Sequence, residues 1–154
     1  MAMDFKYSNE GLPISGGWGY TKDDACIINK NDPLVSPDIP FDGVAIEYVF
    51  VRQRIHEEMI IFRPKGDRFS GIKWTLLLQR LIEDGGRSYD NLKFEITAFH
   101  DEDWYLLKSE YGGPKGFGHP DFDLAAHERK RQEKMIRIEQ EFWFDITSFL
   151  DVSP

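Results

Sequence analysis

The chain has 154 residues, 41% of them hydrophobic and 14% aromatic, with 27 acids against 19 Lys and Arg for a formal charge of −8. That apolar fraction excludes a disordered chain, the length is that of one domain with a sizeable core, and the acidic balance excludes nonspecific grip on nucleic-acid phosphates. One cysteine, Cys26, excludes an internal disulfide, and no apolar run approaches the roughly 18 residues of a membrane helix, so the expectation is a single cytoplasmic domain over residues 1–154 without a membrane span.

The first forty residues carry punctuation more than periodicity: Gly11, Pro13, Gly16, Gly17 and Gly19, then Pro33, Pro37 and Pro40. Only short strands fit there, at residues 25–28 and, more weakly, 5–7. From Gly43 to Phe62 no turn residue interrupts the chain, which predicts one continuous helix. Its stripe is Val44, Tyr48, Val51, Ile55, Met59 and Phe62, Asp42 is a fitting N-cap, and Pro64 and Gly66 stop it. The β-branched content of its first half keeps a strand as the alternative.

Ser70 as a cap, the spacing of Trp74, Leu77, Leu78 and Leu81, and Gly85-Gly86 as a stop predict a second helix over residues 71–84. A strand follows over 92–99. Asp101-Glu102-Asp103 complements the dipole of a short helix running through Trp104, Leu107 and Glu110. Residues 111–120 read as a loop, and 124–133 as a solvated helix. The period then changes to two: Ile136, Ile138, Phe142, Phe144 and Ile146 fall on one side of a long strand, and Arg137, Glu139, Glu141, Asp145 and Thr147 on the other.

One six-residue phrase occurs twice, Phe-Glu-Ile-Thr-Ala-Phe at 94–99 and Phe-Asp-Ile-Thr-Ser-Phe at 144–149, with four identities. Period-two placement of Phe94, Ile96, Ala98 and of Phe144, Ile146, Ser148 predicts two strands in like environments. Strands with one polar side imply an α+β fold, with a mostly antiparallel sheet and helices packed on one face.

No motif of comparable strength speaks for chemistry. His100-Asp101-Glu102-Asp103 follows a strand and offers a divalent-cation ligand or a general base, but capping explains the acids. His56-Glu57-Glu58 lacks the second His four residues on that a zinc helix requires, and reads as a helix surface with Arg54 paired to Glu57 or Glu58. His119 and His127 have no partnering Cys, so no metal site is expected. The glycines at 16, 17 and 19, with Lys22, lack the order of a phosphate loop; a tight turn that anchors Trp18 and Tyr20 is the reading. Cys26 lies in an apolar strand as a small buried side chain, and Arg129-Lys130-Arg131 is a solvated helical face.

Three functions follow as expectations. The first is a non-catalytic protein-binding module, without cofactor or nucleic acid, that engages a basic partner through surface acids and the aromatic anchors Trp18, Tyr20, Trp104 and Tyr111. In bulk properties alone such a small acidic α+β protein is similar to many bacterial immunity proteins that neutralise a toxin domain. The second is a small-ligand or metal-binding enzyme with a pocket formed by His100, Asp101, Asp103 and the glycine loops at 16–19 and 112–118. The third is a homodimeric structural subunit whose repeated strands pair across the dimer.

Overall fold

The computed structural model describes residues 11–150. Its elements, in chain order, are β1 (Ile14–Gly16), β2 (Cys26–Ile28), α1 (Gly43–His56), β3 (Phe69–Asp84), β4 (Arg87–His100), α2 (Asp101–Gly112), α3 (Leu124–Lys134) and β5 (Ile136–Asp145). The strands form one sheet ordered β1-β2-β5-β4-β3, antiparallel except for the β2–β5 pair, so the fold is α+β. Ile14 sits opposite Ile28 across β1 and β2, and Cys26 is in register with Phe144. The chain divides into two compact units: Met1–Glu58, Leu76–Phe94 and Gln140–Pro154 make the first, Met59–Thr75 and Glu95–Glu139 the second. β3 and β4 contribute residues to both. The expected strand at residues 5–7 lies outside the described residues.

The helix expected over residues 71–84 is a strand. Gly85 and Gly86 do not stop a helix; they have φ of 60° and 79°, the left-handed pair that a two-residue type I′ hairpin loop demands between Asp84 and Arg87. Half-buried Ile72, Trp74 and Leu76 alternate with exposed Lys73, Thr75 and Leu77, the period of a strand. The helical spacing of Trp74, Leu77, Leu78 and Leu81 coexists with that alternation, and the hairpin decides between them.

α1 forms where expected, capped by Asp42, whose carboxylate accepts from the Ala45 amide at 3.0 Å, and it runs on into a π-helical turn over Glu57–Ile61. Its buried face is rotated from the expected stripe. Val51, Ile55 and Met59 are buried, but Val44, Tyr48 and Phe62 are exposed, and Gly43, Glu47, Phe50 and Arg54 turn inward instead. Packing decides this: Phe50 stands edge-on to Phe142 and Phe144, with ring centroids 6.4 and 5.4 Å away, and Phe142 meets Phe94 at 5.9 Å. Burial of each such Phe stabilises by about 1.5–3 kcal/mol, which outweighs the pattern of smaller apolar residues along the helix.

The repeat is half as expected. Phe94 to Phe99 lie within β4, whereas β5 ends at Asp145 and the second copy continues as a turn. The Asp145 carboxylate accepts from the Thr147 amide at 3.0 Å and from its hydroxyl at 2.6 Å, a local capture that competes with the ladder and ends the strand. The inward positions nevertheless match: Phe94 and Phe144 are buried, as are Ile96 and Ile146. In the second unit α3 forms as expected and α2 runs on through Tyr111 and Gly112, both expected in the loop; the Phe99 ring lies against Trp104, with centroids 5.2 Å apart, and under the Arg131 guanidinium at 5.7 Å.

Candidate functional site

The glycine-rich turn after β1 is held from several sides. The Gly19 amide donates to the Asp24 carbonyl at 2.7 Å, the Trp18 amide to the Asp24 carboxylate at 3.1 Å, and the Trp143 amide to the Gly19 carbonyl at 2.7 Å. Glycine is required sterically: a Cβ at Gly17 would lie 1.9 Å from the Asp24 carboxylate, and Gly19 has φ of 88° with Cys26 Sγ 2.7 Å from where its Cβ would stand. A turn so fixed projects Trp18, which is 58% exposed.

Beneath Trp18 lies Arg54, buried on the inner face of α1. Its guanidinium carbon is 4.7 Å from the Trp18 ring centroid, 5.6 Å from Tyr20 and 5.2 Å from Phe50, so three rings surround one cation. Among the described residues Arg54 Nε and Nη1 have no hydrogen-bond partner, nor does Glu57 Oε1. Tyr20 is half-buried and donates its hydroxyl to Glu58 at 2.7 Å. Burial, and then the Glu58 hydrogen bond and charge, raise the Tyr20 phenol, while Arg54 opposes them. Burial likewise pushes the Cys26 thiol up to about 12, and Cys26 is fully buried, as its sequence neighbours predicted. The surface-pair expectation for Arg54 and Glu57 is thus corrected: both are buried, because the aromatic core turns that face of α1 inward.

Charge is divided unevenly along the chain. Among the described residues the first unit's segments hold 13 acids and 7 Lys or Arg, the second unit's 11 and 11, so the acidic excess there lies in the unit that carries Trp18. Asp23, Asp24 and Glu58 are exposed acids of this unit, and Asp24 and Glu58 bond directly to Trp18 and Tyr20.

Trp104 and Tyr111 belong to the second unit, where both line a groove of about 440 Å³ with Leu107, Lys108, His127 and Arg131. Tyr111 stacks on Phe117 at 5.1 Å, and His127 is buried against Glu110 at 3.1 Å. Lys130 and His127 together hold the Glu110 carboxyl below its usual range. His100 stacks on Phe69 with centroids 4.8 Å apart, and Asp101 accepts from the Ser70 hydroxyl at the head of α2. Asp101, Gly112 and Gly113 line a groove of about 660 Å³ that His100 does not line, and the glycines at 16–19 belong to the other unit. Among the described residues no three His, Cys, Asp or Glu side chains converge as metal ligands.

Sequence reasoning paired Trp18 with Tyr20 and missed what supports them. The signal was the spacing of Glu47, Arg54 and Glu57, seven and three residues apart on one helical face, but charged residues on such a face ordinarily mark its solvent side. Comparison with family models, with curated proteins and with solved structures finds no match to this chain.

Proposed function

We propose that the protein is a non-catalytic binding module, inhibitor-like in kind and acting in the cytoplasm, that engages a basic protein partner through Trp18 and the acids around it. The carrying observation is that Trp18 is at once exposed and fixed, by the Asp24 carboxylate on its amide and the Arg54 guanidinium under its ring. Most exposed Trp side chains lose rotamer freedom on binding; one already held presents a large rigid contact at low entropic cost, the property of an interface anchor. The flanking Asp23, Asp24 and Glu58, in the unit that bears the net charge, suit a partner rich in Lys and Arg. Tyr20 supports the site from below by its bond to Glu58.

The test is affinity capture from the native cell lysate with the wild-type chain and with Trp18→Ala, each at low and high salt. One basic protein held by the wild type, released at high salt and weakened by the substitution by about 2 kcal/mol, roughly 30-fold in affinity, is the expected result. Equal retention by Trp18→Ala, or no specific capture at low salt, refutes the reading.

A further inference from the structure

β3 closes one end of the sheet, and among the described residues it has a neighbouring strand, β4, on one side alone. Such an edge is a template for another strand unless charge, proline or a bulge blunts it. Here the edge runs Leu76-Leu77-Leu78-Gln79-Arg80-Leu81-Ile82, with one charge and no proline, and Leu77, Leu78 and Leu81 are 47%, 47% and 57% exposed. Arg80 does not guard it, because its guanidinium donates to Asn91 at 2.8 Å and lies 3.8 Å from Glu141, both on strands further into the sheet.

The two-residue loop sets the β3–β4 register: with Asp84 opposite Arg87, Arg80 falls opposite Asn91, the residue it bonds. Antiparallel alternation then points the amides and carbonyls of Asp84, Ile82 and Arg80 toward β4, and those of Leu77, Gln79 and Leu81 out of the sheet. The Gln79 side chain donates to Asp90, at 3.1 and 3.2 Å, and so is tied back toward β4.

About Gln79 the apolar pattern of this edge is symmetric at two of its three pairs: Leu77 mirrors Leu81 and Leu76 mirrors Ile82, while Leu78 mirrors Arg80, whose guanidinium is turned to Asn91 and Glu141. A two-fold interface demands that if one residue meets a second, the second also meets the first; two antiparallel copies of one strand meet that demand, and a centre at Gln79 sets Leu77 against Leu81 and Leu76 against Ile82. We infer that β3 pairs antiparallel with β3 of a second copy of this chain, with the two-fold axis at Gln79. In that register Leu77 of each copy lies beside Leu81 of the other, Leu76 beside Ile82, and the outward backbone groups of Leu77, Gln79 and Leu81 bond across the axis. The repeat cannot serve this purpose, because β4 lies between β5 and β3, and Phe144 and Asp145 are already in register with Cys26 and Ile27. The dimer uses a strand distinct from the Trp18 turn and leaves the function proposed above unaltered.

Sedimentation of the full chain is expected to give a dimer. Leu77→Lys shifts it to monomer, and Leu77→Lys with Leu81→Glu restores the dimer, because each Lys then faces a Glu of the other copy. Gln79→Cys cross-links under mild oxidation, since residues facing each other in a hydrogen-bonded pair have Cα atoms about 5.5 Å apart, within disulfide reach. Ile82→Cys does not, because its two copies lie six residues apart along the strands, about 20 Å. A wild-type monomer at every concentration, a dimer indifferent to Leu77→Lys, no rescue by the double variant, or cross-linking of Ile82→Cys in preference to Gln79→Cys each overturns the inference.

Discussion

Glu47 faces the core from α1 and is 1% exposed. Its carboxyl hydrogen-bonds Asp90, which also accepts from Gln79, and among the described residues its Oε2 has no partner. Burial first, then the bond to and charge of Asp90, push Glu47 from the ordinary 4.5 up to about 10, so at neutral pH it holds a proton. The unfolded chain does not hold that proton above about pH 5. The folded-state pKa is raised, so the stability Glu47 allows is complete below its unfolded pKa and falls as pH rises toward 10. Between those limits the slope is about 1.4 kcal/mol per pH unit for one proton and does not depend on the exact size of the shift. Glu47→Gln keeps a donor for Asp90 and has no proton to lose. From pH 6 to pH 8 the stability of the variant should therefore gain about 2.7 kcal/mol on the wild type, measured by urea unfolding followed by circular dichroism. Differencing the two proteins cancels the other titrating groups. A difference that stays flat over that range, or that shrinks, refutes a protonated Glu47.

Cys26, fully buried with its thiol held high, should resist a thiol reagent at pH 8 in the native chain and react fully in urea; prompt native labelling would contradict its placement. Gly17→Ala forces a Cβ onto Asp24 and should cost about 1–3 kcal/mol; an unchanged melting temperature would refute the close approach. Leu92→Ala, in the fully buried core of β4, should cost about 2–5 kcal/mol by urea unfolding, and a loss below 1 kcal/mol would show that β4 is packed differently.

What was legible in the sequence was whatever rests on local chemistry. Asp42 caps α1 as acids do, and Asp101-Glu102-Asp103 opens α2. The alternation over Ile136 to Phe144 could only be a strand. β3 failed because Trp74, Leu77, Leu78 and Leu81 satisfy a helical period as well as a strand, and Gly-Gly is both a helix stop and a hairpin loop; the partner strand, a non-local fact, chose between them. The rotation of α1 was hidden for a related reason. A row of Val, Tyr and Ile competes with Phe50 for the core, and only Phe94, Phe142 and Phe144, brought from β4 and β5, settle which face turns in. The candidate site was half legible: Trp18 on a glycine turn is visible, and the Arg54 that braces it, 36 residues on, is not.

Arg54 is also where stability and the proposed function part. A buried guanidinium with two unpartnered nitrogens forgoes about 1–3 kcal/mol for each unmet donor, while its contacts with Trp18, Tyr20 and Phe50 each return about 0.5–2 kcal/mol. The terms nearly cancel, so Arg54→Met, which keeps a long apolar stem against the same rings, should leave the unfolding free energy within about 2 kcal/mol of wild type. The brace under Trp18 is lost all the same, and capture of the basic partner should weaken toward the Trp18→Ala level. If Arg54 were instead one half of a satisfied buried ion pair, its removal would strand a charge and cost about 3–5 kcal/mol. Arg54→Met that unfolds the chain would establish that pair, and Arg54→Met that folds and captures as well as wild type would show that Trp18 stands without its cation.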